Sequence, residues 1–339
     1  MRLAIAAFTP DGVVLARRIE ALAPRVLGAT SVEVFDGSTG FREWFSGQFH
    51  AAEALLVIGA TGIAVRMLDG LMRGKDKDPA VLVLDDLGQF VIPLLSGHLG
   101  GANRLATALA TALGAQPVIT TATDNHGLFA VDVWAAARGC AIAETGQIKT
   151  ISAALLRGQE LGFYSEFPVK GSLPPGLAPA NGQEAGVCLS LDTGLQPFPQ
   201  TLHLVPRVLV LGAGCRKGTG KARFEAVVLD FLAAGAVSVL ALKTVASIDR
   251  KCQEPCLLAF AAKYGLDFRV FSASALQAVP GDFASSAFVE ARVGVGNVCE
   301  RAAMAANGPG RLLLPKTSRD GMALALAVRD WQAVFDATF

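Results

Sequence analysis

The stretch Ser96-Gly97-His98-Leu99-Gly100-Gly101-Ala102-Asn103 sets an imidazole between two glycine steps, just ahead of an amphipathic run through Leu105, Leu109 and Leu113 that stops at Gly114. Imidazole titrates near neutrality and serves as general base or acid. Glycine permits positive φ and close backbone approach, and a helix N-terminus presents unpaired N–H groups. A turn of this kind can hold a carboxylate, or the oxyanion formed when water adds to an ester carbonyl. The same residues also suit a plain strand-to-helix connection capped near Asn103, with His98 as a hydrogen-bonding fixture. Both readings stand at this level. The run lacks the Gly-Lys-Ser/Thr of a nucleotide-phosphate loop and the glycine fingerprint of a dinucleotide site.

Other polar groups cluster where apolar runs end. Asp85 and Asp86 follow the run 80–84, and Thr120 ends the run 117–120, with Thr121 and Asp124 just beyond it. Ligands of open α/β sheets bind at the carboxyl ends of strands, so Asp85 or Asp124 could orient His98. Asp124 also suits the cap of a helix beginning near Gly127. Arg66, in a helix opened by Gly62, offers a forked bond to a carboxylate. Near the other end of the chain, Gly212-Ala213-Gly214-Cys215-Arg216-Lys217-Gly218 joins a glycine turn to two cations. Asp249, Lys251 and Glu254 precede Pro255 at another strand-to-helix turn. For Arg66, Arg216, Lys217 and Lys251 the alternatives are gripping an anion and simple solvation.

The elements that must position these groups follow a βα rhythm. Strands are expected over residues 2–7, 32–35, 54–58, 80–84 and 117–120, with helices over 13–22, 41–49, 63–71, 104–113 and 128–137. The continuous apolar run 81–84 fits a sheet covered on both faces, hence a mostly parallel α/β layer. From 139 the pattern loosens and Pro/Gly turns punctuate it. The rhythm resumes at 207, with strands over 208–211, 237–244, 268–271 and 312–314, and helices over 220–232, 255–264, 298–306 and 322–329. The expected fold is α/β, with two mostly parallel-sheet domains (1–138 and 205–339) joined by a small, less regular middle domain (139–204).

Hydrophobic residues make up 52% of the 339, which provides for buried cores. Thirty basic residues oppose twenty-nine acidic ones. That balance argues against a nucleic-acid surface and leaves room for local basic pockets. The apolar runs at 54–65 and 231–242 are too short to span a bilayer, and the opening residues read as a first strand rather than a signal peptide, so a cytoplasmic protein without membrane contact is expected. The six cysteines lie apart except for Cys252 and Cys256, and no nearby histidine completes a zinc set. They read as inert hydrophobes, with no bound metal expected.

The run from Leu94 to Asn103, preceded by Lys77-Asp78-Pro79-Ala80-Val81 and followed by Thr120-Thr121-Ala122-Thr123-Asp124, closely resembles the amino-terminal region of the cobalt-precorrin-5A hydrolases. Residues 212–217, 247–254 and Gly294-Val295 with Glu300 resemble that family's carboxy-terminal domain. The resemblance implies a step of anaerobic cobalamin biosynthesis. Its substrate is a cobalt-precorrin tetrapyrrole carrying a δ-lactone, which water opens, after which the methylated meso carbon leaves as acetaldehyde. It implies no cofactor, cobalt being carried by the substrate, and transient contact with neighbouring pathway enzymes as the further partnership. The catalytic set suggested by this reading is His98, Asp124 and Asp85, with backbone N–H groups near Gly100 and Gly101 on the oxyanion. Substrate binding is assigned to Arg66, Ser96, Gly97, Gly100, Gly101, Asn103, Thr120, Thr121, Arg216, Lys217, Asp249, Lys251 and Glu254. A nucleophilic role for Ser96 ranks second. The competing functions are a tetrapyrrole methyltransferase and a non-catalytic corrinoid-intermediate carrier.

Overall fold

The computed structural model describes residues 1–74, 77–98, 100–121 and 127–335. The chain forms two compact units, Met1–Val133 and Trp134–Phe339. The protein is mixed α/β. No helix among the described residues is long and apolar enough to cross a membrane.

The first unit is built on a six-stranded sheet of order β2-β1-β3-β4-β5-β6. Strands β1 (Arg2–Ala7), β2 (Ser31–Val34), β3 (Ala54–Ile58) and β4 (Ala80–Leu84) are parallel. Their side chains alternate between two cores, as the strand period of two requires. Leu3, Ile5, Leu56, Ile58, Leu82 and Leu84 meet α1 (Pro10–Val26) and α4 (Ala102–Leu113). Ala4, Leu55, Val57, Val81 and Val83 meet α2 (Phe41–Ala51) and α3 (Thr61–Leu68) on the other face. Helix α1 starts where the Thr9 hydroxyl accepts the Gly12 N–H and Pro10 supplies a preset φ.

Strand β5 (Phe90–Leu95) is the element that the sequence concealed. It runs antiparallel to β4, and β6 (Gln116–Pro117) lies parallel to β5. Pro93 makes the segment read as loop. It is tolerated because β6 pairs only with Phe90 and Val91, which leaves one side of β5 beyond them without a ladder that needs its N–H. Of the strand expected over 117–120, only Pro117 lies in β6.

Helix α5 (Val131–Ala137) begins in the first unit, Asp132 included, and leads into β7 (Cys140–Ile142) of the second, the antiparallel edge of a sheet ordered β10-β8-β11-β12-β7. Strands β8 (Leu161–Ser165), β10 (Leu177–Pro179), β11 (Ala185–Leu189) and β12 (Gln200–Pro206) are parallel, and α6 (Ile148–Leu156) precedes β8. The segment with the looser sequence pattern thus has a sheet of its own, whose short strands leave little periodicity to read. His203 on β12 is fully buried there. Its Nδ1 lies 2.9 Å from Glu144 Oε1 and its Nε2 lies 2.7 Å from the Leu195 carbonyl, so this histidine is a structural fixture. A small parallel pair joins β9 (Val169–Lys170) to β18 (Ala333–Val334).

The last sheet is ordered β15-β14-β13-β17-β16. Strands β13 (Leu209–Cys215), β14 (Leu242–Ile248) and β15 (Asp267–Phe271) are parallel, and β17 (Met322–Arg329) is antiparallel to β13 and to β16 (Gly310–Arg319). Helices α7 (Lys221–Ala234) and α8 (Pro255–Tyr264) cover one face. The other face is covered by α9 (Ala273–Gln277) and α11 (Cys299–Asn307), with α10 (Ala287–Val293) between them in sequence.

The helix expected over 322–329 is therefore corrected to a central strand. Met322-Ala323-Leu324-Ala325-Leu326-Ala327 has helix-favouring composition, but its large residues alternate with period two. Met322, Leu324, Leu326 and Val328 fill one core while Ala327 faces the other. The hairpin before it turns at Asp320 (φ 54°) and Gly321 (φ 77°), the left-handed pair that a two-residue hairpin demands.

Candidate active site

The glycine loop is folded by its own backbone. Ser96 takes φ 57°, and its carbonyl accepts the Ala102 N–H at 3.1 Å. The Gly97 carbonyl accepts the Asn103 N–H at 3.0 Å, and the His98 carbonyl accepts the Gly101 N–H at 2.9 Å. A Cβ on Gly100 would stand 2.4 Å from Ser96 Cβ, so only glycine fits, and Gly101 turns the chain into α4 at φ 79°. A Cβ on Gly97 would stand 2.7 Å from Asn103 Oδ1. Asn103 Nδ2 donates to Thr121 Oγ1 at 2.9 Å and ties the loop to the chain leaving β6. The Ser96 hydroxyl donates to the Asp78 carbonyl at 3.0 Å, and the Asp78 carboxylate accepts the Arg73 and Gly74 N–H groups.

This closure uses the N–H groups of Gly101, Ala102 and Asn103, so the oxyanion role expected at Gly101 is corrected: its N–H points at the His98 carbonyl. Helix α4 has no side-chain cap because the loop's carbonyls take that place.

His98 is half-buried, and its Nδ1 lies 3.5 Å from Oδ2 of Asp132 in the first turn of α5. Asp132 is 8% exposed. Burial alone would raise its carboxyl, but the hydrogen bond and charge of His98, with the Val133 N–H, outweigh it and hold the pKa below the usual value. The Nδ1 contact to a buried carboxylate fixes the orientation of the imidazole ring.

Asp132 was not among the sequence candidates. The available signal was an acidic residue at a helix start, where the dipole favours it, and nothing in the spacing joins it to a histidine thirty-four positions earlier. Asp124 lies outside the described residues.

Asp85 does not orient His98. Its Oδ1 accepts the Phe90 N–H at 2.6 Å and closes the β4–β5 turn. Because β5 runs back along β4, His98 sits at the amino end of β4 and Asp85 at the carboxyl end, roughly 16 Å away along five residues. Arg66 belongs to α3, which starts from the Asp85 edge. It is exposed and folds back to donate to the Gly62 carbonyl at 3.2 Å. Thr120 is exposed and Thr121 half-buried.

In the second unit, the turns after β13 and β14 share the carboxyl edge of the parallel strands. Arg216 and Lys217 are exposed, and the Arg216 side chain lies over Gly321. Glu254 is 6% exposed. Its carboxylate accepts the Gly218 N–H at 3.0 Å and the Lys251 Nζ at 2.6 Å, which braces the two turns against each other. Asp249 is exposed and accepts the Arg250 N–H. Glu300 is buried at the start of α11, where it accepts the Lys316 N–H at 2.7 Å and an Asn297 side-chain N–H. Gly212 lets that helix approach, since a Cβ there would stand 1.8 Å from the Cys299 carbonyl oxygen.

Family models match in chain order: Cobalamin synthesis G N-terminal over residues 43–124, Cobalamin biosynthesis central region over 129–206 and Cobalamin synthesis G C-terminus over 209–327. They define an α/β protein of cobalamin synthesis. The cobalt-precorrin-5A hydrolase of Salmonella typhimurium is 36% identical, spanning 96% of this chain and 97% of that one. That of Priestia megaterium is 30% identical over 88% and 84% of the two chains. A solved cobalamin biosynthesis protein G homolog from Sulfolobus solfataricus is 20% identical over 96% of each chain, at a TM-score of 0.43. The chain belongs to the cobalt-precorrin-5A hydrolase family.

Proposed function

We propose that this protein is a cytoplasmic hydrolase that opens the δ-lactone of cobalt-precorrin-5A and releases the meso carbon as acetaldehyde, leaving cobalt-precorrin-5B. Family membership supports the substrate class, and the His98–Asp132 pair in its glycine loop carries the chemistry. In this reading Asp132 holds His98 so that Nε2 takes a proton from water as the water oxygen adds to the lactone carbonyl. The Gly100 N–H is the proposed donor to the oxyanion. The acyl–oxygen bond then breaks, giving a side-chain carboxylate and an alkoxide on the methylated carbon. The alkoxide collapses to acetaldehyde, and the bonding pair passes to the metallated macrocycle.

Cobalt enters as part of the substrate, and the reaction draws on no other cofactor. Arg216 and Lys217, at the carboxyl edge of the last sheet, are proposed anion-binding groups of the second unit, a role suited to exposed cations beside a glycine turn. The Ser96 hydroxyl, directed at the Asp78 carbonyl, shapes the loop.

The test is anaerobic incubation with cobalt-precorrin-5A while acetaldehyde is trapped. Wild type should release one equivalent per substrate, and His98→Ala should lower the rate about 10²- to 10⁴-fold. A wild-type protein that binds the substrate and releases no acetaldehyde would be a carrier. Tight equilibrium binding of S-adenosylmethionine would point instead to a methyltransferase.

A further inference from the structure

We infer that Cys215, Glu254 and Cys256 form a binding site for a soft divalent cation such as zinc or cobalt(II). The site is separate from the proposed hydrolytic chemistry and does not depend on it. In sequence Cys215 stands far from the other two, so the spacing shows no metal set. The fold brings the end of β13 against the start of α8, and the three donor groups converge to within 4.8 Å of one another. The two sulfurs are 3.8 Å apart. Two thiolates each about 2.3 Å from a tetrahedral ion stand about 3.8 Å apart, so the pair is already set at ligand spacing. Glu254 is the residue before α8 and Cys256 is its second residue, so both donors sit where the helix dipole favours negative charge.

Charge bookkeeping permits the change. Without a cation both cysteines are free thiols. Glu254 is then neutralised by Lys251. When a dication binds, two S–H bonds break, two metal–sulfur bonds form and two protons leave to solvent. Two thiolates and one carboxylate against one dication and Lys251 again sum to zero. The Glu254 carboxylate has acceptor positions beyond those used by Gly218 and Lys251. Three protein donors leave a fourth tetrahedral position for water on the half-buried Cys215 side. A bound ion would pin the Arg216–Lys217 turn to α8.

The test titrates the reduced, chelator-stripped full chain with cobalt(II) under anaerobic conditions. The expected result is one equivalent bound, with thiolate-to-cobalt charge-transfer absorption and about two protons released per ion at neutral pH. Cys215→Ser and Cys256→Ser should each weaken binding at least ~10-fold, while Cys140→Ser and Cys299→Ser leave it unchanged. The proton count is read on wild type, so a variant that fails to fold leaves the test intact. An absence of cobalt binding would overturn the site, as would binding without charge-transfer absorption or proton release, the signature of surface carboxylates.

Discussion

Two glycine-bearing strand-to-helix turns, one in each unit, are closed by different means. The Ser96–Asn103 loop is closed by three backbone hydrogen bonds, with its Ser96 and Asn103 side chains bonded to Asp78 and Thr121 and His98 half-buried against Asp132. The Cys215–Gly218 turn is closed by a buried side chain, the Glu254 carboxylate, which reaches across from α8. The difference lies in where the ionisable groups are used. The backbone-closed loop sets its imidazole against one carboxylate, whereas the carboxylate-closed turn uses Glu254 and Lys251 for rigidity and leaves Arg216 and Lys217 exposed.

That contrast can be broken most forcefully at Glu254. Glu254→Ala strands Lys251 and the Gly218 N–H, and urea unfolding should show a loss of about 3–5 kcal/mol. His98→Ala takes the imidazole away from the buried Asp132 carboxylate and should cost less, about 1–3 kcal/mol. Next in size, Gly100→Ala drives a Cβ against Ser96 and should cost about 1–3 kcal/mol with parallel loss of acetaldehyde release. Gly218→Ala meets open space and bears only its positive φ, a loss of about 1 kcal/mol. If the two glycines cost the same, the loops are not closed in different ways.

Removing both Arg216 and Lys217 should raise KM about 10-fold while kcat stays within a factor of about 2, as loss of uniform binding requires. The smallest effect is acid stability. Asp132 has a folded pKa below its unfolded one, so its contribution is full above the ordinary carboxylate range and is lost as pH falls through the lowered value. The acid limb of wild-type stability should be steeper than that of Asp132→Asn, and superimposable limbs would remove the His98 interaction as its cause.

Much of this was legible in the sequence. The strands at 2–7, 54–58 and 80–84 and the helix at 255–264 match the structure residue for residue, because buried parallel strands and a proline-started helix leave strong local signals. Local signals failed where tertiary pairing decides. Pro93 hid β5, and with β5 hidden the polar ends at Asp85 and Thr121 seemed to share an edge, although the sheet puts them on opposite ones. The alanines of 322–329 imitated a helix in what the sheet makes a central strand. Asp132 beside His98 and Cys215 beside Cys256 are contacts between distant segments, which periodicity cannot encode.

The central claim is that His98 directs water onto the lactone carbonyl. Single turnover of cobalt-precorrin-5A in heavy-oxygen water tests it most directly, with wild type and His98→Ala compared at matched substrate occupancy. The corrinoid product of wild type should be two mass units heavier through its new carboxylate, and His98→Ala should bind substrate equally but form that product about 10²- to 10⁴-fold more slowly. An unlabelled corrinoid product, or a His98→Ala protein as fast as wild type, would contradict the account.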